Sequence, residues 1–111
     1  MSQTENKNNK LAVLYTTIGT QQEAEHLANK AISEKVAACV NIIPGGKSIY
    51  LWNEKIEHSD ECYMIFKTTS TLLPELEKWI IKNHPYDIPA IVKFDAHTSA
   101  DFLDYIIKSV K

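Results

Sequence analysis

The chain has 111 residues, 44% of them hydrophobic and 23% charged, with a formal net charge of -2. That is enough for one core and too little for two, and no apolar run approaches the roughly 20 residues that cross a bilayer. Every basic residue is a lysine, so the arginine fork that reads guanine or clamps phosphate is missing and nucleic acid is a poor candidate partner, while the short apolar runs make a membrane an unexpected one. Residues 1–10, MSQTENKNNK, are polar, lack an apolar stretch of the signal-peptide kind, and are expected to form a flexible tail ahead of one domain over 11–111 in a cytoplasmic protein.

Leu11 to Thr17 alternates as a strand does, and Thr20-Gln21-Gln22-Glu23 has the spacing in which a hydroxyl and a carboxylate satisfy the first free amides of a helix. Ala24, Leu27, Ala28, Ala31 and Ile32 then form one apolar stripe, ending near Lys35. Val36 to Ile43 reads as a strand with Val36, Ala38, Val40 and Ile42 on one face and Ala37, Cys39, Asn41 and Ile43 on the other. Pro44-Gly45-Gly46 predicts a bend or bulge, after which the strand resumes as Ser48 to Trp52. Asn53-Glu54 is the expected turn into a second long strand, Ile56 to Thr69, with Cys62, Met64 and Phe66 opposite Tyr63 and Ile65.

Ser70 or Thr71 is the expected cap of a second helix, with Pro74 in its first turn and Leu72, Leu76, Trp79 and Ile80 buried. His84-Pro85 stops that helix, and Ile91 to Phe94 forms a short fourth strand. Thr98 or Ser99 with Asp101 starts a third helix bearing Phe102, Leu103, Ile106, Ile107 and Val110. Cys39 and Cys62 both lie in apolar strand patterns, which suits reduced thiols better than a disulfide.

The order β-α-β-β-α-β-α predicts an α+β, ferredoxin-like sandwich with a long hairpin and an added C-terminal helix, both crossover helices lying on one sheet face. The other face is then expected to be bare. At about 25 cal/mol per Å2, covering several hundred Å2 of it offers roughly 10 kcal/mol before the costs of association, which predicts a homo-oligomer.

Three segments in this order, AACVNIIPGGKSIYLW at Ala37 to Trp52, ECYMIFKTT at Glu61 to Thr69 and HPYDIP at His84 to Pro89, resemble the CutA divalent-cation-tolerance family over nearly the whole of Leu11 to Val110. The resemblance implies a trimer whose hairpins pair across subunits, a fold related to PII-type signalling proteins, a role in tolerance to divalent metals with copper bound in some members, and no catalytic reaction. This chain departs from the pattern at several points. The hairpin tip reads Trp52-Asn53-Glu54-Lys55 where the family commonly has Trp-x-Gly-Lys, and Ala90 follows Pro89 where the family usually has Glu. Copper-binding members offer a cysteine at the end of the first strand and tandem histidines, and the matching positions are Tyr15 and Asn83-His84, so only His84 survives as a donor.

The candidate residues each carry two readings. Cys39 is a packing residue first and a metal or redox group second, and Cys62 follows it. His84 is either a helix-end residue or part of a metal or ligand site, which makes it the leading metal candidate. Tyr50 and Trp52 share a strand face and serve an interface or stack a flat ligand. Glu61 and Lys67, six apart and so on one face, form a salt bridge across subunits or an anion pocket. A ligand cleft is expected near His84 and Tyr86, while His26, His58 and His97 have no metal-ligand spacing.

A cysteine enzyme built from Cys39, His84 and Asp87 is disfavoured because a thiol inside an apolar strand is poorly placed to become an accessible nucleophile. An RNA-binding module of the same strand order needs a basic, glycine-bearing third strand, which CYMIFKTT is not. The alternative to metal tolerance is a PII-like or ACT-like sensor with small-molecule clefts between subunits.

Overall fold

The computed structural model describes residues 9–111, so most of the expected tail lies outside the described residues. Asn9 and Lys10 are tied down: the Asn9 side-chain oxygen accepts from the hydroxyls of Ser70 and Thr71, and the Lys10 amide donates to Ser70 Oγ. Four strands and three helices follow, β1 (Leu11–Ile18), α1 (Gln21–Ser33), β2 (Cys39–Trp52), β3 (Lys55–Thr69), α2 (Leu73–Asn83), β4 (Val92–Ala96) and α3 (Ala100–Ser109). The strands form one antiparallel sheet in the order β2-β3-β1-β4, the expected ferredoxin-like topology.

The helix starts show which local signals decide. The Glu23 amide donates to Thr20 Oγ1 at 3.1 Å and the Thr20 hydroxyl donates to the Glu23 carboxylate at 3.1 Å, so the reciprocal cap forms as its spacing predicts. Ser99 caps α3 by accepting from the Phe102 amide. The expected cap of α2 is corrected: Leu72 holds the cap position without a side-chain bond, because Ser70 and Thr71 are engaged with Asn9. At the end of α1, Lys35 turns into the left-handed region (φ 61), and the amides of Lys35 and Val36 close on Ile32 and Ala31 carbonyls.

Val36 to Ala38 precede the strand rather than opening it, so the expected alternation from Val36 fails at its start. Val36 and Ala37 both enter the core beneath the helices, whereas Ala38 joins a second cluster with Leu11, Val13 and Ile106. Further along β2, Pro44 and Gly45 stand against the single residue Cys62, with Ile43 paired to Tyr63 and Gly46 to Glu61. This two-against-one bulge, with Gly45 at φ 78, is the bend that the proline and glycines predict. The fourth strand is shifted by a residue at its start and two at its end from the expected Ile91 to Phe94.

The main core lies between the sheet and α1 and α2, where Leu14, Ile18, Met64, Phe66, Leu76 and Ile80 are fully buried. The expectation of a wholly bare second face is corrected. Helix α3 covers its near end, packing Ile106, Phe102 and Leu103 over Leu11, Val13 and Ile65. What neither helix layer reaches is the distal hairpin, which stretches the molecule to 55 × 24 × 23 Å and its radius of gyration to 15.2 Å, against about 13 Å for a compact domain of this length. Ile49, Leu51, Trp52 and Ile56 on it are 58–72% exposed.

Candidate functional site

The best-defined polar constellation lies where the chain leaves α2 and crosses the end of β1. Pro85 forces the residue before it out of helical dihedrals, so His84 adopts an extended backbone (φ -75, ψ 140) while its amide still donates to the Ile80 carbonyl. This turns the imidazole inward, where it is only 6% exposed. The Tyr86 amide donates to Nδ1 at 3.1 Å, so Nδ1 presents its lone pair and the proton sits on Nε2, which donates to the Thr17 carbonyl at 2.8 Å. Burial holds the imidazole below its ordinary value, opposed by the Thr17 bond and the charges of Glu23 and Glu61.

Tyr86 packs edge-on against His84, with ring centroids 4.7 Å apart, and its hydroxyl donates to the Glu61 carboxylate at 2.8 Å. Glu61 is 8% exposed and sits opposite Gly46, at the root of the projecting hairpin. Burial, followed by the bond to Glu61 and its charge, pushes the Tyr86 hydroxyl far above its ordinary range, so it stays a donor. Gly19 lies beneath: a Cβ there would stand 3.2 Å from Glu23 Oε1 and 3.6 Å from the Tyr86 hydroxyl. His84, Glu61 and Tyr86, chosen separately from the sequence, are thus one connected group.

The other candidates lie elsewhere. Lys67 shares the sheet face of Glu61 but stands six residues, about 20 Å, along β3. Its ammonium lies 5.8 Å from the centroid of the Phe102 ring, so within one chain the two charges do not meet. Tyr50 and Trp52 are exposed on the hairpin, with the Tyr50 hydroxyl 2.7 Å from Ser59 Oγ. Cys39 is half-buried opposite Lys67, and Cys62 is in the main core. Tyr15 leans on Tyr63, and the Asn83 amide accepts from Lys30 and donates to the Trp79 carbonyl. His26, His58 and His97 are exposed.

Sequence reasoning missed the Thr17 carbonyl, which no side-chain pattern can announce, and Glu23, which reads as a helix cap alone. Beside the His84 loop lies a cleft of about 360 Å3. It has an apolar floor of Ile18, Leu27 and Pro85 and a polar rim of Gln22, Glu23, His26 and Asn83.

A divalent metal does not fit these residues as they stand. Both His84 nitrogens are engaged by backbone groups, and among the described residues no three His, Cys, Asp or Glu side chains are grouped to hold an ion.

A model of the family described as CutA1 divalent ion tolerance protein matches residues 12–109. The chain is 35% identical over 100 residues to the protein CutA, chloroplastic, of Arabidopsis thaliana, covering 89% of this chain and 55% of the plant protein. It is 34% identical over 95 residues to the divalent-cation tolerance protein CutA of Thermus thermophilus, covering 85% of this chain and 92% of the bacterial one. It therefore spans about half the plant relative's length and most of the bacterial one's. The crystal structure of the divalent ion tolerance protein CutA1 from Ehrlichia chaffeensis superposes with a TM-score of 0.88 at 32% identity, covering 92% of this chain and 96% of that one. With its strand order, its bulged hairpin and its His84-Pro85-Tyr86 turn, the chain belongs to the CutA1 divalent ion tolerance family.

Proposed function

We propose that the chain acts in the tolerance of divalent metal ions as a homotrimeric, non-catalytic binding protein of the cytoplasm, with copper as its leading metal. The observation that carries the assembly is the hairpin. Ile49, Leu51, Trp52 and Ile56 project from both of its faces beyond the reach of any helix, and each large apolar side chain is worth roughly 1.5–3 kcal/mol when fully buried. Three as the number of copies rests on the family resemblance.

The non-catalytic reading is supported by an imidazole with no free lone pair and by the burial of Cys62 in the main core. Because the described residues of one chain group no three donors, a bound ion would be met by side chains that different copies bring together. Calorimetric titration of the assembled protein with Cu2+ and Zn2+ is the test. Specific, saturable heat with Cu2+ is expected, and no heat with either ion would move the function away from direct binding.

A second reading, a sensor of a small polar molecule, is favoured by the cleft between α1 and the start of the His84 loop, whose size and mixed lining are those of small-ligand sites. A thermal-shift screen with nucleotides and amino acids tests it, since a ligand at a hundred times its Kd adds about 2.7 kcal/mol of stability. No shift across that screen would remove this reading.

A further inference from the structure

We infer that His84 in this chain is not a divalent-metal ligand but the tie of a clamp that fastens the loop after α2 to the end of β1 and, through Tyr86, to the root of the hairpin. A metal ligand needs a lone pair aimed at open space. Nδ1 has spent its lone pair on the Tyr86 amide, and Nε2 carries a proton given to the Thr17 carbonyl. For an ion to take Nδ1, the Tyr86 amide must lose its acceptor and the loop must swing off. For an ion to take Nε2, the proton must leave, and the Thr17 carbonyl loses its donor.

The neighbouring positions support the same assignment. Tyr15 is turned to Tyr63 and Asn83 is held between Lys30 and Trp79, so neither offers a second donor beside the ring. The positions that the resemblance pairs with His84 hold Tyr15 and Asn83, and the one imidazole that remains there is used otherwise.

The clamp has a direction. Thr17 ends β1, His84 hangs from it, Tyr86 hangs from His84 by its amide and ring, and the Tyr86 hydroxyl reaches Glu61. Glu61 pairs with Gly46, the first residue after the bulge at which β2 and β3 leave the main sheet. The loop is therefore anchored at both a core strand and the hairpin root. His84 and Tyr86 position this junction.

The test uses the whole, assembled protein labelled with 15N. Long-range proton-nitrogen spectra of the imidazoles should show His84 as the Nε2-H tautomer. One equivalent of Zn2+ should leave its ring signals in place, whatever it does to exposed His26, His58 and His97. In calorimetry, Cu2+ affinity should change in His84→Gln by less than the roughly tenfold that even an indirect ligand contact is worth. In Tyr86→Phe, exchange of the residue-86 amide, from which His84 Nδ1 accepts, should quicken by about tenfold, the equivalent of one lost hydrogen bond, with Cu2+ affinity unchanged. A His84 ring nitrogen that loses its proton or shifts with Zn2+, or a tenfold weaker Cu2+ site in His84→Gln, would overturn the assignment. Unchanged exchange in Tyr86→Phe would overturn the clamp. If His84→Gln does not fold, the spectra of the unaltered protein decide alone. A monomeric protein would sink the proposed assembly and leave this inference standing.

Discussion

Tyr63 roofs Gly46. A Cβ on that glycine would lie 2.4 Å from Cζ of the ring, and the Tyr63 hydroxyl spans the Lys47 backbone, accepting from its amide and donating to its carbonyl, each at 3.1 Å. The glycine after the bulge is thus required for the space above it, and the aromatic replaces the side chain that it lacks.

Gly46→Ala should destabilise the protein by about 1–3 kcal/mol, the usual cost of overpacking, measured by chemical denaturation. In a Tyr63→Ala background the same change should cost far less, because the clash has gone. Equal costs in both backgrounds would place the glycine's importance elsewhere.

Asn53 (φ 50) and Glu54 (φ 66) both occupy the left-handed region, and Trp52 pairs with Lys55, so the tip is a two-residue turn of the I′ type. Asparagine tolerates this conformation and glutamate does not. Glu54→Gly should stabilise the hairpin by about 1 kcal/mol, read as slower amide exchange at Leu51 to Ile56. A faster exchange would mean that the Glu54 side chain makes a contact that outweighs the strain.

Burial holds the His84 imidazole below its ordinary value near 6.5, so as pH falls through that value the unfolded chain takes up a proton that the folded chain refuses. The neutral ring's contribution is complete above about pH 6.5 and is lost below it, at no more than roughly 1.4 kcal/mol per pH unit. Urea denaturation at pH 8, 7, 6 and 5 should show this loss in the wild type relative to His84→Gln. Parallel curves would contradict it.

Much of this was legible in the sequence where a local pattern had no competitor. The Thr20 to Glu23 spacing became the cap it predicts, Pro44-Gly45-Gly46 became the bulge, the alternation of Cys62, Met64 and Phe66 marked the buried face of β3, and the strand topology followed from the β-α-β-β-α-β order. Tertiary partners overrode the pattern elsewhere. Asn9, which reads as tail, takes the hydroxyls of Ser70 and Thr71, and α2 starts uncapped. An amphipathic last helix says that it covers something but not what, so its seat on the second sheet face stayed hidden. His84, Tyr86 and Glu61 were each visible as candidates, but the imidazole is held by the Thr17 carbonyl and the Tyr86 amide, and backbone groups leave no trace in residue type.

The hairpin is apolar on both faces and uncovered within one chain, and sedimentation equilibrium at micromolar concentration is the most direct test of what that requires. A species of three times the 12.6 kDa chain mass that persists on dilution through that range is expected. A single 12.6 kDa species would contradict it.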